Sequence, residues 1–194
     1  MIPSSFGRDR RLAYYDSTSV RQLWTVPLQE NDGGLKPGEP AQFLKDRSTD
    51  LFPVFSPDGR WLAHESNASG PFEVFVRPFP PPASGQDRYW QISNTGAGAP
   101  FKFAWPRDGH ELYYQSGDQI MAATYTVEGD AFKLVNTRAW IPKVNAPYWD
   151  VAPDGKCVAA VTPVASAEGA TPDHTVVFLQ NFLDYLRRRV PLNK

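Results

Sequence analysis

Short apolar runs along the chain alternate with polar residues at a spacing of two and end at turn-forming residues. In RWLAHES, which begins at Arg60, Trp61 and Ala63 fall on one side of an extended strand, and Leu62 and His64 fall on the other. Pro-Asp-Gly precedes this run, and Asn, Ser and Gly follow it. The pattern predicts antiparallel strands joined by tight turns.

The same hairpin pattern recurs along the chain. Aligned on their Asp-Gly pairs, three copies read VFSPDGRWLAHES from Val54, AWPRDGHELYYQS from Ala104 and DVAPDGKCVAAVT from Asp150. Their aspartates are 50 and 46 residues apart. An eroded copy, SFGRDRRLAYYDS, stands 50 residues upstream of the first and has GRDR in place of the turn sequence. A repeat at this period indicates an architecture of similar stacked units.

Each unit contains further strand-like runs. The third-strand runs are RQLWTVPL, FEVFVRPF, DQIMAATY and HTVVFLQNF, and three units close with AQFLKD, RYWQIS and RAWIPK. Four antiparallel strands in 46 to 50 residues are typical of a β-propeller blade. The sequence therefore predicts an all-β fold, a single β-propeller region over 1–194 with about four four-stranded antiparallel blades. The predicted blades are 1–48, 49–98, 99–143 and 144–182, followed by a short C-terminal helix over 180–190.

The second unit, FPVFSPDGRWLAHESNASGPFEVFVRPF, resembles the TolB-type (WD40-like) propeller repeat, whose blade carries P-x-W/F-S-P-D-G-x-x-I/L-A-F and then x-I/L-Y/F-V. The third and fourth units fit with single departures, Arg107 for the motif's Pro and Ala152 for its Ser. The tail HTVVFLQNFLDYLRRRVP is similar to the C-terminus of propellers attached to bacterial serine/threonine kinases. The resemblance implies a bacterial signalling or envelope protein, periplasmic or otherwise extracytoplasmic.

The order of strands also bears on the size of the propeller. The chain starts with a first strand, IPSSF, and its fourth unit runs out after a third strand. We therefore expect the C-terminal blades of a larger ring of about six to eight blades. Blade flanks left exposed would be apolar, so we also expect an open arc or a homodimer formed through those flanks.

The recurring Asp-Gly pairs have two interpretations. Their carboxylates could act as metal ligands or acid/base groups. In the other interpretation they are turn residues, since Pro fixes φ, Asp bonds to nearby backbone N–H groups, and Gly adopts a positive φ. The eroded first copy favours the turn. We predict structural turn residues, with no catalytic, metal-binding or cofactor-binding role, at Pro57, Asp58, Gly59, Asp108, Gly109, Pro153, Asp154 and Gly155.

The composition and the absence of several motifs narrow the range of possible functions. Twenty basic and 21 acidic residues give a formal net charge of -1, which predicts no attraction to nucleic acid. No apolar run is long enough to span a membrane, no secretory signal opens the chain, and no G-x-S-x-G elbow occurs. The histidines lack zinc-ligand spacing, so we expect no metal and no cofactor. The single cysteine, Cys157, excludes an intrachain disulfide, and its apolar neighbours predict burial.

These observations favour a non-enzymatic scaffold that binds a protein or peptide at its channel or loop face. Two alternatives stay open. One is the gating propeller of a prolyl-oligopeptidase-type serine peptidase that lacks its hydrolase module. The other is a propeller lyase or glycan-binding protein, because a propeller fold does not fix function.

Overall fold

The structure is a computed structural model that describes residues 1–17, 20–31, 34–45, 47–82, 88–94, 103–107, 110–144, 146 and 148–161. All of them belong to one compact unit, Met1–Pro163. Their regular secondary structure consists of β-strands, and no helix long and apolar enough to cross a membrane occurs in these ranges. The helix predicted over 180–190 and the run HTVVFLQNF lie outside the described residues.

The first sheet has five strands: β1 (Ile2–Phe6), β2 (Arg11–Tyr15), β3 (Leu23–Asn31), β4 (Gly34–Pro37) and β5 (Ala41–Gln42). Its order is β1-β2-β3-β4, and β5 also pairs with β3. The long β3 therefore has two partners, β4 along its second half and β5 along its first. The sequence predicted a single fourth strand in AQFLKD. The structure divides that position because NDGG, at the end of β3, favours a hairpin of its own.

Two further sheets have four strands each, in chain order. The second contains β6 (Asp50–Phe55), β7 (Trp61–Ser66), β8 (Glu73–Pro78) and β9 (Trp90–Gln91). The third contains β10 (Phe103–Ala104), β11 (Glu111–Ser116), β12 (Gln119–Glu128) and β13 (Ala131–Ile141). The described part of the fourth sheet is the hairpin of β14 (Tyr148–Val151) and β15 (Val158–Val161). All these neighbouring strands are antiparallel.

Three apolar clusters lie where successive sheets pack face to face. One joins the first and second sheets around Leu23, Phe55 and Leu62. Another joins the second and third sheets around Trp61 and Phe132. The remaining cluster joins the third and fourth sheets and includes Trp149. Each sheet thus buries its faces against its neighbours, which is how propeller blades stack.

The fold class predicted from the sequence is confirmed: the described residues form an all-β fold of antiparallel propeller blades, of which the second and third are four-stranded. The first strands β1, β6 and β10 lie beside one another, so the inner side of the blades is formed by the first strand of each sheet. The blade boundaries at 48, 98, 143 and 182 stay predictions.

Candidate functional site

The turns after the inner strands share one backbone geometry. In the second unit, the Gly59 N–H donates to the Ser56 carbonyl at 2.9 Å, and Gly59 has φ +75°. In the fourth unit, the Gly155 N–H donates to the Ala152 carbonyl at 2.9 Å. The two turns therefore satisfy their backbone groups in the same way.

The aspartates of these two turns bond locally. Asp58 Oδ1 accepts from the Ser56 hydroxyl and from the Arg60 N–H, and Asp154 Oδ1 accepts from the Lys156 N–H at 3.1 Å. No group of three or more His, Cys, Asp or Glu side chains placed to hold a metal ion occurs in the described ranges. Asp108 and Gly109 of the third unit lie outside those ranges. The structural role assigned to the turn residues remains an interpretation of this geometry.

A prediction follows for Gly59. Its left-handed φ of +75° is unfavourable for a residue with a Cβ, although an added Cβ would meet no atom within 4 Å. We expect Gly59→Ala to lower the free energy of unfolding by about 1 kcal/mol, and Gly59→Asn to lower it less, because Asn tolerates this region better. Denaturant unfolding checks both variants. Equal stability of the alanine variant and the parent would contradict the backbone argument.

The eroded first copy makes an equivalent turn bond with different residues, in a loop that is one residue shorter. The Arg10 N–H donates to the Gly7 carbonyl at 3.2 Å, and Arg10 has φ +57°. Because this bond matches the one from Gly59 to Ser56, Arg8 occupies the turn position that Pro57 occupies in the second unit. Arg107 occupies it in the third unit, as the alignment of the repeats indicates.

These equivalent turn positions meet in one cleft. The cleft has a volume of about 540 Å³ and is lined by Phe6, Gly7, Arg8, Pro57 and Arg107. Residues about 50 positions apart in the chain converge here because the blades repeat around the inner strands. The lining combines apolar surface with two guanidinium groups.

A second cleft adjoins the first at Arg107, which lines both. It has a volume of about 280 Å³ and includes Val54 of β6, Trp105 after β10, and Asp150 and Val151 of β14. The Trp105 indole N–H donates to the Tyr125 hydroxyl at 2.7 Å, which fixes the ring. We call the two clefts together the inner groove.

The two arginines of the inner groove are unlike several others in the protein. Both side chains are exposed, and neither has an ion-pair partner among the described residues. Arginines elsewhere form ion pairs, for example Arg10–Glu30, Arg60–Asp130 and Arg138–Glu111.

A buried polar network lies at the opposite end of β6. His64 Nδ1 is 3.4 Å from Asp50 Oδ1, and the Arg77 Nε–H donates to His64 Nε2 at 3.2 Å. Since Nε2 accepts this bond, the ring proton of His64 resides on Nδ1, facing Asp50. The Ser48 hydroxyl also donates to Asp50, at 3.1 Å. Burial favours a higher pKa for Asp50, but His64, Ser66 and Ser48 hold that pKa below its ordinary value.

This network is buried: Asp50 and His64 have no exposed surface, and Arg77 is 4% exposed. Register places the three residues on one face of the second sheet: Asp50 is opposite Ser66, and His64 and Arg77 are diagonal neighbours. The network therefore links β6, β7 and β8. It does not face the inner groove, so we assign it no chemistry.

Glu65 is buried on the other face of β7. Neither of its carboxylate oxygens has a hydrogen-bond partner among the described residues, and the side chain has no exposed surface. Burial, followed by the charge of Glu73, raises the pKa of Glu65 to about 8. Tyr114 of the third sheet also has a raised pKa, from burial and then from Glu73. Glu65 therefore favours the protonated state in the folded protein.

Two sequence expectations concern single residues. Cys157 is exposed, so the prediction of a buried cysteine was wrong. The reason is local: Cys157 lies in the turn segment before β15, which begins at Val158. Of the histidines, His64 belongs to the buried network, His110 is exposed, and His174 lies outside the described residues.

The sequence did not reveal the convergence of Arg8 and Arg107. The replacement of Pro57 by Arg107 was visible, as was GRDR in the first unit. The missing step was to superpose the copies on one another. In a propeller, equivalent turn positions lie around one inner surface, so two arginines at one repeat position indicate a shared cationic site.

Several solved structures are similar to this chain. A candidate 6-phosphogluconolactonase from Bacteroides uniformis is 16% identical with a TM-score of 0.55, over 82% of this chain and 47% of that one. Kuenenia stuttgartiensis hydrazine synthase is 15% identical with a TM-score of 0.53, over 81% and 54%. A candidate TolB from Agrobacterium tumefaciens is 14% identical with a TM-score of 0.49, over 84% and 58%.

At these identities the likeness concerns the fold alone. The chain spans about half the length of the solved structures that it matches. No protein-family model and no curated protein matches it.

Proposed function

We propose that this chain is a non-enzymatic propeller scaffold that binds a segment of a protein or peptide in its inner groove. The blades supply a rigid frame, and the turns at one end of the inner strands supply the contact surface. Binding residues concentrate on loops held by such frames. A role as the sensor or docking part of a bacterial signalling or envelope protein, such as a kinase-associated propeller, is the finer form of this proposal. It is supported by the tail's resemblance to such proteins.

The observation that carries the proposal is the composition of the groove. Phe6 is 55% exposed beside Pro57 and two guanidinium groups that have no ion-pair partner in the described ranges. An exposed aromatic ring next to available hydrogen-bond donors is a pairing that recurs in protein-binding surfaces, where aromatic residues and Arg are enriched. Among the described lining residues of the groove, one carries a carboxylate, Asp150 of β14, whereas acid/base catalysis by paired carboxylates needs two.

Replacement of Phe6 tests the site. Peptides selected from a random display library on the wild-type chain should bind a Phe6→Ser variant at least about tenfold more weakly, because the ring supplies buried contact area. The matched control is Val135→Ser, since Val135 of β13 is equally exposed at 55% and lies away from the groove. Fluorescence anisotropy gives the affinities.

Two results would contradict the proposal. One is the recovery of no binding peptide. The other is equal loss of binding in the Phe6 and Val135 variants, because the contact would then not lie at the groove. Circular dichroism and thermal unfolding show whether each variant keeps its fold.

The ring of about six to eight blades and association through blade flanks stay predictions.

A further inference from the structure

We propose that the inner groove selects acidic segments, with carboxylates of the ligand bound by Arg8 and Arg107. This inference rests on the proposed function and names the ligand class for the same site. Its basis is the placement of the two arginines at one repeated turn position, the charge of the surrounding lining, and the absence of a general cationic character in the chain.

The geometry of the turn does not require arginine at this position. In the second and fourth units it is held by Pro57 and Pro153, whose fixed φ suits the first central residue of the turn. The Arg107 N–H donates to the Pro153 carbonyl at 3.0 Å, which explains why proline is absent from the third unit. Any other residue type could donate that bond. Among the described contacts, the guanidinium group of Arg107 therefore has no role in forming the turn.

The cleft around the two arginines contains no carboxylate among its described lining residues, which are Phe6, Gly7, Arg8, Pro57 and Arg107. Asp150 lines the neighbouring cleft, on the far side of Arg107. The cationic part of the groove is thus bounded on one side by an acidic residue. An acidic ligand is attracted to the Arg8 side and repelled at Asp150, so the groove favours one orientation of the bound ligand.

Guanidinium groups bind carboxylates through paired N–H donors, and such charge-assisted bonds are stronger than neutral ones. Phe6 and Pro57 place apolar surface next to them, so a side chain adjoining the ligand's carboxylate can be buried as well. A peptide supplies both parts. A nucleic acid fits less well, because the chain has a formal net charge of -1 and an isoelectric point near 6.3.

The test uses three fluorescein-labelled short peptides that alternate Phe with Glu, with Gln or with Lys. We expect the Glu peptide to bind the wild-type chain at least about tenfold more tightly than the Gln peptide, and the Lys peptide to bind most weakly. Raising the salt concentration from about 0.05 M to about 0.5 M should weaken binding of the Glu peptide and leave the affinity of the Gln peptide nearly unchanged.

Variants locate the effect. The double variant Arg8→Gln and Arg107→Gln should abolish the preference for Glu over Gln, and Arg8→Glu with Arg107→Glu should favour the Lys peptide. Arg47→Gln is the matched control. Arg47 is exposed, lies before β6 at the end away from Pro57, and has no ion pair in the described ranges. The control should bind the Glu peptide as the wild type does.

The outcomes separate the two proposals. Equal binding of the Glu and Gln peptides, lost in Phe6→Ser, would overturn the acidic selectivity and leave the docking site in place. A Glu preference that persists in the double glutamine variant would also overturn it. Binding of a single-stranded oligonucleotide more tightly than the Glu peptide would assign the arginines to phosphate instead. Failure of all three peptides and of the display library would contradict both proposals.

Discussion

Replacing Trp61 with alanine is expected to lower the free energy of unfolding by about 3–5 kcal/mol. Trp61 is 2% exposed and lies in the apolar cluster between the second and third sheets. Its ring centroid is 5.5 Å from that of Trp90 and 5.4 Å from that of Phe132, both in edge-on geometry. Truncation removes these contacts and leaves a cavity between two blades. Urea unfolding followed by circular dichroism measures the loss.

Trp61→Phe is the matched control. It retains an aromatic ring, and it removes the indole N–H, which is buried without a hydrogen-bond partner among the described residues. Loss of an unsatisfied donor offsets part of the lost contact area, so we expect a decrease of only about 1–2 kcal/mol. If Trp61→Ala costs no more than a surface substitution, about 0.5 kcal/mol, the two sheets are not packed through Trp61.

The second large effect concerns pH. Glu65→Gln is expected to make the protein more stable than the wild type by a few kcal/mol at about pH 9, and to change its stability little at about pH 4.5. The pKa of Glu65 is raised from 4.5 to about 8 in the folded chain by burial and then by the charge of Glu73. Glutamine has the same shape and cannot ionise, so it removes the pH dependence without leaving a cavity.

The sign follows from proton binding. Below about pH 4.5 the carboxyl group of Glu65 is protonated in both the folded and the unfolded chain. Between 4.5 and about 8 the unfolded chain releases this proton while the folded chain retains it, so the free energy of unfolding falls as the pH rises. Above about 8 the loss is complete. Asp50, whose pKa is lowered, acts in a separate window, because its contribution disappears as the pH falls below 3.8.

Glu128→Gln is the control for this prediction. Glu128 of β12 has a side chain that is 72% exposed, so its removal should leave the slope of stability against pH nearly unchanged. Guanidinium unfolding of the three proteins between about pH 4.5 and about pH 9 gives the comparison. Parallel curves for the wild type and Glu65→Gln would show that Glu65 ionises at its ordinary pKa and is not buried as described.

The sequence was sufficient to predict the blades because each local signal agreed with the next. The alternation in RWLAHES became β7, and the Asp-Gly pairs fell at the ends of inner strands β6 and β14. Period-two patterning and turn chemistry act over a few residues, so one chain reveals them. Strand lengths were less predictable. β13 has eleven residues and begins at Ala131, before the start of RAWIPK at Arg138. The reason is that a two-residue turn after Glu128 pairs β13 with β12 from its first residue.

The groove and the buried network depend on distant residues, and that is why the sequence did not reveal them. Glu65 and Tyr114 are both affected by the charge of Glu73, and only the pairing of strands and the packing of sheets bring Glu73 near each of them. Similarly, Arg8 and Arg107 become neighbours because the blades stack. Charge and aromatic content alone do not distinguish a side chain that serves a turn from one that faces a ligand.

The central claim is that an acidic segment binds at the turn end of the inner strands. The most direct measurement is the change in backbone amide chemical shifts of the isotope-labelled chain on addition of the alternating Phe-Glu peptide. We predict that the largest changes fall at Phe6, Gly7, Arg8, Trp105 and Arg107, and that Arg47 and the outer strand β13 change little. Changes centred on Arg47 or on β13, with none at Arg8 and Arg107, would contradict the claim.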